Sequence, residues 1–221
     1  MNYKDILDEI EKQLEGEAHL DELARKKQDP YKILISTILS ARTRDANTRM
    51  ATEKLFANFK TPKSVSEADI EEIEQLVKCS GFYKVKAARI KEISKVLIEK
   101  YGGKVPNNYD DLIDLPGVGS KTANCVLVYA FKVPAIPVDT HVHRISNRLR
   151  WVTTKNPLQT EKALKDKIPK ELWLKLNRLF VRFGQQICLP IRPKCEICIL
   201  NNQCPKDFSM ELAMKKKKDK K

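Results

Sequence analysis

Apolar residues recur at intervals of three to four along most of this chain, which is the spacing that buries one face of an α-helix. The segments with this period are each bounded by glycine, proline or polar residues. They predict helices over 6–14, 45–56, 69–77, 85–101, 109–115, 121–131, 142–149 and 172–183. Alternating strand patterns are scarce, so the predicted fold class is all-α.

One predicted helix differs from the others. Residues 31–41, YKILISTILSA, are apolar on nearly every side and follow Pro30, so they predict a central core helix. The helices over 45–56 and 85–101 are instead amphipathic in pattern. Their inward faces are expected to include Ala46, Met50 and Ala88.

The segment 132–137, KVPAIP, cannot be helical throughout, because proline lacks an N–H group and restricts the residue before it. It is therefore the best candidate for a domain boundary in a chain of 221 residues.

No apolar stretch reaches transmembrane length, and residues 1–17 have an acidic helical pattern unlike a signal peptide. We expect a cytoplasmic protein whose cysteines stay reduced or bind metal.

The charge of the chain indicates a polyanionic partner. It carries 42 Lys and Arg residues against 29 Asp and Glu, a net charge of +13. The last seven residues, KKKKDKK, supply +5 of this charge, which leaves +8 for the rest of the chain. A cationic surface of this size is typical of nucleic-acid binders, although an anionic membrane is also compatible with it.

The segment 115–123, LPGVGSKTA, is the most informative pattern and predicts a turn between two helices. Pro116 discourages the first helix from continuing, and Gly117 and Gly119 both permit a positive φ. The N–H groups of such a turn can approach a DNA phosphate, and the helix N-terminus adds positive potential there. On this pattern alone, an ordinary connection between helices stays an alternative.

Four of the six cysteines share one C-terminal stretch with the spacing C-x6-C-x2-C-x5-C, namely Cys188, Cys195, Cys198 and Cys204. Thiolates this close in a cytosolic protein indicate a metal more often than disulfides. Zinc sites commonly use two short C-x2-C pairs, and only one pair here is short. Four thiolates from one loop-rich segment also suit a four-iron cluster, so the spacing leaves the metal open. Cys79 and Cys125 lie in helical patterns and are expected in the core.

The chain resembles the endonuclease III family of DNA repair glycosylases. The resemblance rests on three motifs in a fixed order: a glycine hairpin followed by Lys121, the aspartate of 138–141 (VDTH), and the cysteine spacing. It extends from about residue 3 to about residue 207. The hairpin alone occurs in many DNA-binding proteins, but the ordered combination is specific.

This resemblance implies a role for each motif. Lys121 would be the nucleophile and Asp139 the second catalytic residue. The hairpin residues would grip the DNA backbone, namely Gly117, Val118, Gly119 and Ser120. The four clustered cysteines would hold a [4Fe–4S] cluster, namely Cys188, Cys195, Cys198 and Cys204.

The resemblance also implies two helical domains that flank a DNA-binding cleft. A six-helix barrel containing the helix-hairpin-helix is expected at 22–132, and an iron–sulfur cluster domain at 1–21 and 133–209. Residues 210–221 are expected to form a basic disordered tail. The implied protein is a nucleoid-associated monomer without membrane contact. It would bind double-stranded DNA containing damaged pyrimidines or abasic sites.

The residue types suit the implied chemistry. The lysine amine can attack C1′ of a damaged deoxynucleotide, displace the base and leave a Schiff base whose β-elimination cuts the strand. Asp139 can stabilise positive charge on the sugar. On local pattern alone, a lysine that contacts phosphate or is merely exposed is the favoured interpretation of Lys121, and a helix N-cap fits Asp139 well. His141 and His143 are expected to be structural or to contact DNA.

One departure from the family pattern affects specificity. Bacterial members carry a glutamine where this chain has Arg42, which could fill the gap left by a flipped base or contact the opposite strand. Helix capping or an ion pair with Asp45 is the alternative. Phe82 and Tyr83 lie where the family has an intercalating loop, so either could act as a wedge or pack in the core.

Three function classes follow from these patterns. The favoured one is a bifunctional DNA glycosylase and abasic-site lyase of base excision repair that excises oxidised pyrimidines and cleaves 3′ to the site. The second is a glycosylase of the same fold that uses water as the nucleophile, for a lesion such as mismatched thymine. The third is a non-catalytic DNA-binding module with a structural metal. Lys121 argues against the second class, and Lys121 together with Asp139 argues against the third.

Overall fold

The computed structural model describes residues 2–209, in which every regular element is a helix. The all-α prediction is therefore confirmed. The described residues fall into two compact units: Glu17–Ala135, and a second made of the residues up to Gly16 and those from Ile136 onward. The boundary after Ala135 lies within the proline-spaced segment 132–137. The predicted tail at 210–221 lies outside the described residues.

The central unit, Glu17–Ala135, contains eight α-helices. In chain order they are α2 (His19–Arg25), α3 (Pro30–Ser40), α4 (Asp45–Asn58), α5 (Pro62–Glu67), α6 (Ile70–Val77), α7 (Tyr83–Tyr101), α8 (Tyr109–Ile113) and α9 (Ser120–Phe131). The N-terminal helix, Tyr3–Gln13, is α1 and belongs to the other unit.

Helix α3 forms the middle of this unit, as its apolar pattern predicts. Asp29 caps its N-terminus by accepting from the Tyr31 N–H, and Pro30 occupies the first helical position. Eight of its eleven residues are buried, and it packs against α4, α7 and α9. Helix α9 supplies a matching buried face that includes Ala123 and Val126.

The second unit combines α1 with α10 (Thr140–Arg148), α11 (Pro157–Lys167) and α12 (Trp173–Gln186). Short 3₁₀ helices lie at Lys170–Leu172 and Cys195–Ile197. Apolar residues of α12 pack against α1 and α10, and Lys175 of α12 forms ion pairs with Asp8 and Glu11 of α1. This packing holds the N-terminal helix against the C-terminal half of the chain.

The expected inward face of α4 is wrong at two positions. Ala46 and Met50 are exposed, whereas Thr48 and Thr52 are buried. The threonine methyl groups pack in the core because their hydroxyls are satisfied: that of Thr52 lies 3.1 Å from the Ser36 hydroxyl. A prediction that counts only apolar residues therefore assigns the buried face of α4 to positions that are displaced by about one residue.

Ala88 of α7 is also exposed, contrary to the prediction, because Ala87 and Ile90 face the core instead. Three helices were not predicted at all, namely α2, α5 and α11. Each has a single buried apolar residue of its own: Leu23, Val65 and Leu164, respectively. Because polar residues make up the rest of the buried faces of α2 and α11, no hydrophobic period marks them.

Candidate active site and DNA-binding surface

The predicted hairpin joins α8 to α9, with Ser120 as the first residue of α9. Gly117 has a φ of +67°, a left-handed conformation that strongly favours glycine. Gly119 has φ −100° and ψ 176°, an extended conformation open to any residue. Both glycines permit a positive φ, and only Gly117 adopts one.

Val118 supports the hairpin from inside the unit. Its side chain is 5% exposed, and its N–H donates to the Leu115 carbonyl at 3.0 Å. Neither group is available to DNA in this conformation, unlike the exposed backbone of Gly117 and Gly119. Ser120 is half-buried, and its hydroxyl accepts from the Asn124 side chain at 3.3 Å.

Arg89 of α7 lies against the hairpin, a contact that no local pattern in the sequence indicates. A Cβ atom at Gly117 would stand 2.1 Å from Arg89 Nε and 2.5 Å from Cζ. A side chain at 117 would displace the flexible end of Arg89, so the positive φ is the stronger reason for glycine here. The guanidinium adds positive charge beside the turn, where a phosphate would be attracted.

Lys121 is the second residue of α9, directly beyond the exposed hairpin, and is half-buried. No side chain caps this helix end, and its first turn contains no acidic residue. The N–H groups of a first helical turn have no intrahelical partner, so they give this end positive potential. That potential attracts anions such as a DNA phosphate.

Asp139 caps α10. Its Oδ1 accepts from the His141 N–H at 2.9 Å and from the Val142 N–H at 2.8 Å. The N-cap interpretation of this residue is thus correct. Among residues 2–209, no hydrogen bond to Oδ2 is formed, so the cap does not consume the whole carboxylate. Lys121 and Asp139 lie in different units, and each is positioned by its own.

The two histidines after Asp139 have structural partners. His143 is buried and its Nδ1 lies 2.6 Å from the Thr160 hydroxyl, while His141 Nδ1 lies 3.2 Å from Arg144 Nη2. Burial lowers the pKa of both imidazoles, which favours their neutral forms. These contacts fix the first turns of the helix that Asp139 caps.

Arg42 and Phe82 come together on the surface of the central unit. The Arg42 guanidinium carbon lies 5.5 Å from the centre of the Phe82 ring, and Phe82 is 62% exposed. Core packing is therefore excluded for Phe82. The ion-pair alternative for Arg42 fails, since no salt bridge joins Arg42 to Asp45 within residues 2–209 and Asp45 accepts from the His19 N–H at 3.0 Å. Arg42 follows the C-cap Ala41 with a left-handed backbone, so its main chain does take part in ending α3. Tyr83 is half-buried and begins α7.

The four clustered cysteines line one cavity that is partly open to solvent. They are free thiols of intermediate exposure, and they share the cavity with apolar Ile145, Phe183 and Leu200. Among residues 2–209, no three His, Cys, Asp or Glu side chains form a metal-binding group. The four thiols therefore share one cavity, but in this conformation their positions do not match those of metal ligands. Of the other two cysteines, Cys125 is buried and Cys79 is half-buried.

Several donors face these sulfur atoms. Arg148 Nη1 donates to Cys188 Sγ at 3.2 Å, and the Lys206 N–H donates to Cys204 Sγ at 3.4 Å. Hydrogen bonds of this kind stabilise thiolate ligands. Burial raises the pKa of the Cys198 and Cys204 thiols, and the neighbouring sulfurs raise it further. The donor set fits a thiolate-bound metal centre.

Residues 35–170 match the family model of the HhH-GPD superfamily base excision DNA repair proteins. Endonuclease III of Thermotoga maritima is 54% identical over 179 residues, which cover 81% of this chain and 84% of that protein. The chain belongs to the endonuclease III family. Endonuclease III of Bacillus subtilis is 42% identical, with 80% of this chain and 81% of that protein covered.

Solved structures of endonuclease III have the same fold. A trapped endonuclease III–DNA covalent intermediate matches with a TM-score of 0.82 at 36% identity, covering 97% of this chain and 99% of that one. A thermostable thymine-DNA glycosylase matches with a TM-score of 0.77 at 29% identity, covering 95% and 94%. Both likenesses extend over nearly the whole chain.

Membership of the endonuclease III family establishes the class of enzyme. The protein is a DNA-binding glycosylase of base excision repair, and abasic-site lyase chemistry is typical of its family. Members of the family usually carry a [4Fe–4S] cluster. Within residues 2–209, no helix is long and apolar enough to cross a bilayer.

Proposed function

We propose that this endonuclease III family member excises oxidised pyrimidines from double-stranded DNA and then cleaves the strand with Lys121. The observation that carries the proposal is a primary amine in the first turn of α9, directly beyond an exposed glycine hairpin. The likeness to a trapped covalent complex of endonuclease III with DNA supports it.

The proposed reaction uses the amine of Lys121 as a nucleophile at C1′ of the damaged nucleotide. The C1′–N bond to the base breaks as the C1′–N bond to lysine forms, and the base leaves with a proton. Ring opening gives a protonated Schiff base, which acidifies the hydrogen on C2′. Loss of that proton expels the 3′-phosphate oxygen, and hydrolysis of the remaining Schiff base frees the lysine.

Asp139 is proposed to stabilise the positive charge that develops on the sugar. Its Oδ1 is engaged by two N–H groups of α10, which orients the carboxylate and leaves Oδ2 for this task. A fixed charge aimed at a developing charge is effective because it needs no reorganisation during the reaction.

Duplexes with one defined lesion test the substrate class. We expect a thymine glycol duplex to be nicked to an unsaturated aldehyde, and undamaged duplex to remain intact. A G·T mismatch tests the second candidate, which the likeness to a thymine-DNA glycosylase favours. Release of thymine that leaves an uncut abasic site, with thymine glycol untouched, would replace our proposal by that one.

The hairpin is proposed to bind DNA phosphate through its backbone. Gly119→Ala adds a Cβ that meets no atom within 4 Å, so the free protein should lose only the preference of the α9 N-cap for glycine over alanine, about 0.5–1 kcal/mol. The same methyl would stand between the hairpin and a phosphate. We therefore expect weaker binding to damaged and undamaged duplexes alike, measured by fluorescence anisotropy.

Gly117→Ala is the matched control for that variant. It forces an L-residue into a left-handed conformation and meets Arg89, so it should destabilise the fold by about 1–2 kcal/mol. Comparing the two separates a DNA contact from a loss of structure. A Gly119→Ala protein that binds undamaged duplex as tightly as the parent would contradict the proposed phosphate contact.

The cysteine cavity is proposed to hold a [4Fe–4S] cluster through Cys188, Cys195, Cys198 and Cys204. When bound, the cluster would tie the loop-rich segment 188–204 together by iron–sulfur bonds. Protein purified without oxygen should be yellow-brown and contain about four irons per chain. Stoichiometric zinc without visible absorption would instead assign the cavity to a zinc site.

Cys198→Ser tests the same assignment through stability. Metal binding contributes to folding when the ligands come from a segment with few apolar residues. We expect this variant to lose iron and thermal stability together, while Cys79→Ser in the other unit keeps both. An iron-free Cys198→Ser protein as stable as the parent would show that the segment needs no metal.

We propose the same two domains, with the same functional residues in each, as expected from the sequence. The barrel at 22–132 would carry the helix-hairpin-helix and Lys121, and the cluster domain at 1–21 and 133–209 would carry Asp139 and the cysteines. The protein would act as a monomer associated with the nucleoid. Damaged pyrimidines and abasic sites in double-stranded DNA would be its substrates.

A further inference from the structure

Two surface loops of the central unit meet at Arg42 and Phe82. Arg42 lies between α3 and α4, and Phe82 lies immediately before α7. Both have left-handed backbones, with φ values of +51° and +58°, although neither is glycine. Residues other than glycine rarely adopt this conformation unless the surrounding structure holds them there.

The backbones of the two loops are in direct contact. A Cβ atom at Gly81 would lie 2.7 Å from the Arg42 carbonyl oxygen, so only glycine permits this approach. The Gly81 N–H donates to Thr43 Oγ1 at 3.1 Å. The guanidinium of Arg42 then lies over the Phe82 ring. The exposed pair is therefore the outer end of a packed junction.

Lys86 lies beneath this junction and is 4% exposed. Its Nζ donates to the Leu39 carbonyl at 2.7 Å and to the hydroxyls of Thr43 and Ser80, both at 2.8 Å. The three acceptors belong to the end of α3, to the Arg42 loop and to the Phe82 loop. One ammonium group thus uses its three donors to join three segments.

Within residues 2–209 no carboxylate pairs with this buried amine, and burial lowers its pKa to about 8. An unpaired charged side chain is an unfavourable choice for filling space, since an apolar residue would do so without desolvating a charge. The three hydrogen bonds to separate segments are what distinguish Lys86 from a packing residue.

We propose that Lys86 is a positioning residue that locks the Arg42 and Phe82 loops together, so that both side chains engage DNA as one rigid unit. The inference rests on the proposed function and on the expectation from the sequence that Arg42 and Phe82 contact the duplex at the lesion. A joined pair loses less conformational freedom on binding than two independent loops do. Lys86 would therefore act through Arg42 and Phe82 without touching DNA.

A double-mutant cycle tests the coupling between the two side chains. Arg42→Ala, Phe82→Ala and the double variant are made in the parent and again in a Lys86→Met background. The dissociation constant is measured for a duplex with a tetrahydrofuran abasic-site analogue, which cannot react with an amine. In the parent, we expect a coupling of about two- to tenfold, the ordering cost of one side chain that the pairing in the free protein already removes.

In the Lys86→Met background, we expect this coupling to vanish. Lys84→Met replaces an exposed lysine on the same helix, and in that background the coupling should persist. Thr43→Val, which removes one acceptor and leaves the lysine in place, should weaken the coupling. It provides the same test should Lys86→Met fail to fold, and thermal melts identify that case.

The outcomes separate this inference from the proposed function. If both single alanine variants bind the abasic-site duplex as the parent does, the entry of Arg42 and Phe82 into DNA is wrong, and the inference falls with it. If the single variants bind more weakly but the coupling is absent in the parent or survives in Lys86→Met and Thr43→Val, only the role of Lys86 is overturned.

Discussion

Lys121→Gln should abolish both covalent trapping on abasic-site DNA by borohydride and cleavage of the strand. A Schiff base requires a primary amine, and glutamine has a side chain of similar reach without one. The fold should change by no more than about 0.5 kcal/mol, because Lys121 forms no ion pair or side-chain hydrogen bond within residues 2–209. Trapping is measured as a shifted protein band on a denaturing gel.

Two other lysines serve as controls for this experiment. Lys84 and Lys132 are both exposed and belong to the same unit as Lys121. Lys84→Gln and Lys132→Gln should be trapped and should nick DNA like the parent. Binding of Lys121→Gln to a tetrahydrofuran duplex should persist, since the hairpin backbone is unchanged. A Lys121→Gln protein that is still trapped would assign the nucleophile to another amine.

Asp139→Asn should lower the rate of base release by roughly 10²- to 10⁴-fold while Lys121 is intact. Asparagine caps helices about as well as aspartate, so the amide oxygen can keep the two bonds to the His141 and Val142 N–H groups. The loss of charge is thereby separated from the loss of the cap. Single-turnover kinetics on a thymine glycol duplex measures the effect.

Asp139→Ala provides the contrast, because it removes the cap as well as the charge. It should lower the free energy of unfolding by about 1 kcal/mol, whereas Asp139→Asn should stay close to the parent. If Asp139→Asn were fully active and only Asp139→Ala were impaired, Asp139 would be a helix cap and nothing more.

The sequence determined the helical fold class and the order of the motifs. The period of a helix, the N-cap at Asp139 and the turn at Gly117 each depend on residues that are close together in the sequence. Each could therefore be predicted from its neighbours along the chain. The same locality explains the failures. The buried face of α4 depends on the Thr52–Ser36 contact between two helices, which no local pattern records.

Only the tertiary structure decided which distant residues meet. Arg89 reaches the hairpin at Gly117 from another helix, and Lys86 bonds to groups 47 and 43 positions away in the chain. Arg42 and Phe82 were separate candidates in the sequence and are one contact in the fold. Such pairs form because packing brings helix ends together, and buried polar groups must then find partners wherever the chain places them.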